Sequence, residues 1–179
     1  MAQSNCRKRW LTGAILVCLL FVVAPIRGAN FLDEAAETAL LRGQAEDLAQ
    51  ALARTQSNAQ RGPVLSLIRD RVTGEVFDAQ NLSNIPSNLH PLLAARLEKY
   101  VAANAGKLNP KWSIPGSHSE IWALNQALQR REALGIGVQS LDDFGLYNVS
   151  LWRNRLGTTV PRCGNCNFLT DGIRVLSGN

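Results

Sequence analysis

A chain of 179 residues with 46% hydrophobic and 18% charged side chains can bury one core of ordinary size and still hold an additional segment. Its net charge of +5 is unevenly spread: residues 1–29 hold Arg7, Lys8, Arg9 and Arg27 and no acid, residues 30–60 are net acidic, and the rest is mildly basic. That balance permits a polyanionic substrate without requiring one, and four cysteines, of which Cys6 and Cys18 lie near the N-terminus, exclude a disulfide framework beyond the short-range pair Cys163 and Cys166.

Arg7-Lys8-Arg9 precedes an apolar run from Trp10 to Ile26, broken only by Thr12, Gly13 and Pro25. A basic head followed by an apolar run is the layout of a secretory signal. The run is short for a membrane span of about 20 residues. Arg27 stands before Gly28-Ala29, where a cleavage site wants a small residue. Residues 1–29 therefore read as a cleaved signal peptide or an uncleaved signal anchor, with a buried helix as the third reading. The first two imply a protein that is secreted, or membrane-anchored through this segment alone.

Residues 30–62 shift to Ala, Leu, Glu and Gln, which are good helix formers. Leu41, Ala45, Leu48 and Leu52 share one stripe at steps of three and four, so this stretch is an amphipathic helix ended by Ser57-Asn58 and Gly62-Pro63. It serves either as a spacer or as a helix packed on the domain that follows.

Residues 63–179 form that domain. Val64–Asp70 and Glu75–Ala79 flank Thr73-Gly74 and make a hairpin. Asn81–Asn88 is loop. Pro91 opens a helix reaching about Ala105, which Gly106 and Pro110 end. A second helix runs from about Ser117 to Leu134, and a strand from Leu146 to Trp152 follows a loop rich in Gly and Asp. Pro161–Cys166 makes a thiol-bearing turn, a short helical turn surrounds Phe168-Leu169, and Gly172–Leu176 is a last strand. A hairpin joined to helix-linked strands implies a mixed sheet in an α/β layered sandwich.

Two motifs carry chemistry. His118 and Glu120 stand two residues apart, a spacing that points them to nearly opposite sides within a helix. They can converge only at a helix start, and Pro115-Gly116 places them there. The competing reading is a capping box, in which Ser117 and Glu120 merely satisfy the first backbone N–H groups. Cys163 and Cys166 form a C-x-x-C pair, which suits a redox dithiol, a structural zinc knuckle or a catalytic metal site. A knuckle wants a fourth ligand, and outside the N-terminal segment no further Cys remains and only His90. An imidazole and two thiolates suit a tetrahedral Zn2+ with one position open for water, leaving Glu120 to move protons.

The pair of motifs resembles the cytidine-deaminase-like superfamily. Ile68-Arg69-Asp70, Thr73-Gly74-Glu75-Val76, the Pro91-Leu92-Leu93 helix, His118-Ser119-Glu120-Ile121-Trp122-Ala123-Leu124 and Pro161-Arg162-Cys163-x-x-Cys166 look like the YwqJ-related deaminases of bacterial polymorphic toxins. The resemblance covers roughly residues 64–178. It implies a cytidine-deaminase-like α/β/α sandwich, zinc held by His118, Cys163 and Cys166, and Glu120 as the catalytic acid and base. It also implies a nucleobase substrate of cytosine or adenine type, free or in single-stranded nucleic acid, and an immunity protein as partner. Asn81 is a candidate to hydrogen-bond the substrate, against the plainer reading of a loop residue. Trp122 is a candidate to flank the base, against the plainer reading of core packing. One departure stands out: Arg162 separates Pro161 from Cys163, where the superfamily has Pro directly before Cys. Asn81-Leu82-Ser83 and Asn148-Val149-Ser150 match the glycosylation pattern, the second within a strand expected to be buried. The alternative to a deaminase is a non-catalytic zinc-binding module or a C-x-x-C thiol redox protein.

Overall fold

In the computed structural model, residues 33–105 and 114–178 are described, so the apolar run of the signal or anchor segment lies outside the described residues. Among the described residues no helix is long and apolar enough to cross a membrane. The elements follow in the order α1 Glu34–Thr55, α2 Asn58–Arg61, β1 Val64–Asp70, β2 Val76–Gln80, α3 Pro91–Ala103, α4 Ser119–Ala133, β3 Phe144–Ser150, α5 Gly164–Leu169 and β4 Arg174–Val175.

The four strands make one mixed sheet in the order β2-β1-β3-β4. The hairpin expected from Thr73-Gly74 forms, with Gly74 at a φ of 80° that favours glycine. β1 also pairs antiparallel with β3 over its whole length, and β4 lies parallel to β3. Both faces of β1 and β3 are covered, because side chains alternate across a sheet. Leu65, Leu67, Tyr147 and Val149 pack with Leu41, Ala45 and Ala49 of α1 on one face. Ile68, Phe144 and Leu146 pack with Leu93 of α3 and with Ile121, Leu124 and Leu128 of α4 on the other. The sheet is thus the middle of three layers.

Of its two expected roles, α1 takes the second and packs on the domain, forming one of these layers instead of standing off as a spacer. Its apolar stripe reaches the sheet through Leu41 and Ala45, with Leu48 and Leu52 partly buried beside them. Glu37 is wholly buried in the same interface, 3.0 Å from Arg71 and 3.4 Å from Arg69. A side chain at Gly145 of β3 would collide with that carboxylate, which explains the glycine in a buried strand.

Several boundaries differ from expectation, among them the last strand, which is Arg174–Val175 alone and not Gly172–Leu176. β3 begins and ends two residues earlier than Leu146–Trp152, because its ladder follows β1 from Val64↔Ser150 to Asp70↔Phe144. Beyond Ser150 the chain turns back, with Ser150 N–H donating to Thr158 O and Val160 N–H to Asn148 O, so Trp152 sits exposed on the turn. The helical turn expected around Phe168-Leu169 is a helix of six residues that begins directly after Cys163.

Candidate active site

The site lies where α4 and α5 start. His118 is the N-cap of α4, with extended backbone at φ −81° and ψ 157°, while Ser119 and Glu120 are its first two helical residues. That break in geometry lets side chains two apart face one place. The capping box does not form: Ser117 Oγ donates instead to Ile114 O at 2.7 Å. The cap comes from across the fold, where Asn81 Oδ1 accepts the Ser119 N–H at 2.8 Å. Asn81, just past the end of β2, thereby sets where α4 begins.

Cys163 is the N-cap of α5 and Cys166 lies one turn in, wholly buried. The two thiols are free, and His118 Nδ1 lies 3.2 Å from each sulfur. The three donor atoms fall within 4.8 Å of one another. Zinc bonds of about 2.0–2.3 Å at tetrahedral angles would set donors about 3.6 Å apart, so a small expansion would admit the ion. Donor type and spacing therefore fit zinc. His90, the other histidine outside this trio, instead caps α3 by accepting the Leu92 N–H at its Nδ1.

Glu120 is buried beside the trio without belonging to it. Burial pushes its carboxyl above the ordinary range, and its own N–H and the His118 charge only partly offset this. Its Oε1 accepts from Asn148 Nδ2 at 3.2 Å, and its Oε2 from Ser119 Oγ at 3.4 Å. Ser119 Oγ in turn lies 2.7 Å from Ser66 Oγ. Among the thiols, the Cys166 hydrogen bond and then the His118 imidazole bring Cys163 down to about 4, against its partial burial. Cys166 moves the other way, raised by that same bond and by burial. The hydrogen bond to Cys163 raises His118 despite its burial.

Arg162 turns its guanidinium along α5, donating to Thr170 Oγ1 at 2.8 Å and Thr170 O at 3.3 Å. It braces the far end of the short helix that carries Cys166. Trp122 is half-buried and donates its indole N–H to Asn84 O at 2.9 Å, pinning the loop after β2 onto α4. The site residues that sequence reasoning missed are Ser66, Ser119 and above all Asn148, noted there only as a glycosylation match. A usable signal existed: an Asn and a Ser at strand positions expected to be buried, where polar side chains want a stated partner.

A mixed four-stranded sheet flanked by helices, with an imidazole, two thiols and a buried carboxyl where two of those helices begin, fits a deaminase-like fold. Residues 48–175 match the family model described as YwqJ-like deaminase, and the chain belongs to that family. It is 34% identical over 125 residues to Toxin YwqJ of Bacillus subtilis (strain 168), an alignment covering 65% of this chain and 19% of that relative. The chain therefore spans about a fifth of the length of the curated relative it matches. No solved structure matches it.

Proposed function

We propose that this protein is a zinc-dependent hydrolytic deaminase acting on a nucleobase of cytosine or adenine type, with the cytidine-deaminase-like form of the α/β/α fold. One observation carries the reading: His118, Cys163 and Cys166 bring their donor atoms within 4.8 Å beside the buried carboxyl of Glu120. His118 Nδ1 and the two sulfurs would hold the metal. When bound, zinc acts as a Lewis acid that lets water lose a proton near neutrality. Glu120 takes one proton from the attacking water and gives it to the ring nitrogen, then takes the second from the hydroxyl now on the ring carbon and passes it to the departing amine. Water and amine go in, carbonyl and ammonia come out. A raised carboxyl pKa suits that exchange, since a strongly acidic group would not hand the proton on. Asn81, which caps α4, and Trp122, which holds the loop after β2, would line the path of the base.

The substrate is free or carried in single-stranded nucleic acid; a base in a duplex would first have to be flipped out. The relative named as a toxin supports the further reading of an exported effector with an immunity protein as partner. Residues 1–29 would direct export or anchor the chain, and residues 63–179 would carry the chemistry.

One observation favours a second reading, a redox dithiol. An exposed Cys163 held at about 4 at a helix start, next to a buried Cys166, is also how reactive C-x-x-C pairs are arranged. Metal analysis separates the two. The deaminase reading expects about one zinc per chain, lost on His118→Ala, and Glu120→Gln that keeps zinc but releases no ammonia. A metal-free protein with an oxidised Cys163–Cys166 bond, or a deaminating Glu120→Gln variant, would defeat it. In sequenced nucleic acid from cells expressing the chain, C-to-T or A-to-G changes would name the base, and an unchanged sequence would point to free nucleotides.

A further inference from the structure

Taking Glu120 as the proton carrier, we infer that Asn148 is its positioning residue, and that the cross-strand pair Ser66–Asn148 is what the sheet contributes to the reaction. The two residues are direct partners in the β1–β3 register, on the face that meets α4. Their neighbours on that face, Ile68 and Leu146, are apolar core. Ser66 and Asn148 are wholly buried and polar, and both lead to one carboxyl group. Asn148 Nδ2 donates to Oε1 at 3.2 Å, while Ser66 reaches Oε2 through Ser119 Oγ. A carboxylate terminal torsion is otherwise broad, with no well of its own to hold it. Asn148 of β3 holds one oxygen directly, and Ser119 of α4, backed by Ser66 of β1, holds the other.

Packing does not call for this asparagine. Asn is disfavoured in strands, and a buried amide is a liability unless both its ends are met. Here Oδ1 is buried without a hydrogen-bond partner among the described residues. An apolar side chain of the same size would suit the core better. The amide, however, can serve Glu120 throughout the proton transfers. Its N–H donates to the carboxylate, and after a half-turn its oxygen accepts from the carboxylic acid. The backbone of the same residue accepts the Val160 N–H, on the segment that leads into Pro161 and Cys163. Residue 148 therefore ties the carboxyl and the thiol loop to one point of β3.

The test compares the full chain, zinc-loaded, with Asn148→Leu and Asn148→Asp. Ammonia release is followed on three probes: cytidine, adenosine and a single-stranded oligodeoxynucleotide containing all four bases. On whichever probe the unaltered protein turns over, kcat should fall about 10–100-fold in both variants, as for other groups that orient a catalytic residue. KM should stay within about twofold, zinc content should be unchanged, and the Tm of Asn148→Leu should hold or rise. An unaltered kcat overturns the inference. So does a kcat lost together with zinc or with several degrees of Tm, which would make Asn148 merely structural. A readout free of turnover is the Asn148 side-chain amide signal in a nitrogen–proton NMR spectrum, which should move in Glu120→Ala. An unmoved signal overturns the pairing whether or not any probe is deaminated. A moving signal with no turnover on any probe would count against the deaminase reading and not against the pairing.

Discussion

Replacing Arg131 by Met should cost about 3 kcal/mol of folding stability, at the lower end of the range for breaking a buried ion pair. Arg131 is 1% exposed, and its Nε and Nη2 each donate to Asp70 at 2.6 Å. Its Nη1 donates to Asp143 at 2.9 Å, and the guanidinium lies 4.4 Å from the centre of the Phe144 ring. One side chain near the end of α4 thus clamps the end of β1 and the start of β3. The low end of the range applies because Asp70 keeps two other donors, the N–H groups of Val72 and Thr73. At about 2–4 °C per kcal/mol for a chain of this size, Tm should fall by about 6–12 °C. Thermal and urea unfolding followed by circular dichroism would measure it, with Asp70→Asn/Arg131→Met expected to recover part of the loss. The pair also has a pH signature. Burial raises the Asp70 carboxyl, but the Arg131 hydrogen bonds, the Val72 and Thr73 N–H groups and the guanidinium charge together bring it below its ordinary value of 3.8. A carboxylate depressed in the folded state contributes stability above its unfolded value and loses it as pH falls below that value. Acid sensitivity below pH 3.8 should therefore be blunted in Arg131→Met. A variant within about 1 kcal/mol of the parent at neutral pH would behave like a surface pair and refute the reasoning.

Asn81→Ala removes the acceptor for the first N–H of α4 and should lower stability by about 1 kcal/mol; kcat falling with KM and zinc unchanged would show that the cap also sets the position of Glu120, whereas a raised KM would point to substrate contact. Glu37→Ala takes the buried carboxylate from between Arg69 and Arg71 and should destabilise by about 3–5 kcal/mol in denaturant titrations; unchanged stability would mean that α1 is only loosely held. In zinc-stripped protein, iodoacetamide should label Cys163 before Cys166, with a rate that climbs through a midpoint near pH 4 as the thiolate forms, and added zinc should protect it. Labelling that rises only above pH 8, as for an ordinary thiol, would contradict the polarised pair.

Much of the fold was legible because it is written in short-range pattern. The hairpin around Thr73-Gly74, the helix opened by Pro91 and the amphipathic run over α1 follow from turn residues and periodicity alone. The spacing of His118 and Glu120 even dictated that they sit at a helix start, as they do. The length of β3 was less legible, since its ends are set by β1 and not by its own residues. The place of α1 was also open, because an apolar stripe is the same whether it meets a partner helix or a sheet. The capping reading of Ser117 failed because the cap is Asn81, which local spacing cannot reveal.

The sequence by itself determined which chemistries are available: an imidazole and a carboxyl placed by local signals at a helix start, and two thiols on a turn. These are facts of side-chain identity and of the few residues around each. Only the tertiary structure decided that the His118 imidazole meets both sulfurs, that Glu120 is buried beside them, and that Asn148 and, through Ser119, Ser66 reach its two oxygens. Those meetings depend on β1 and β3 pairing in one register, and a slip of one residue would put Ser66 and Asn148 on opposite faces of the sheet. Proton chemistry needs groups within hydrogen-bond reach, and across so many intervening residues that reach is set by the sheet.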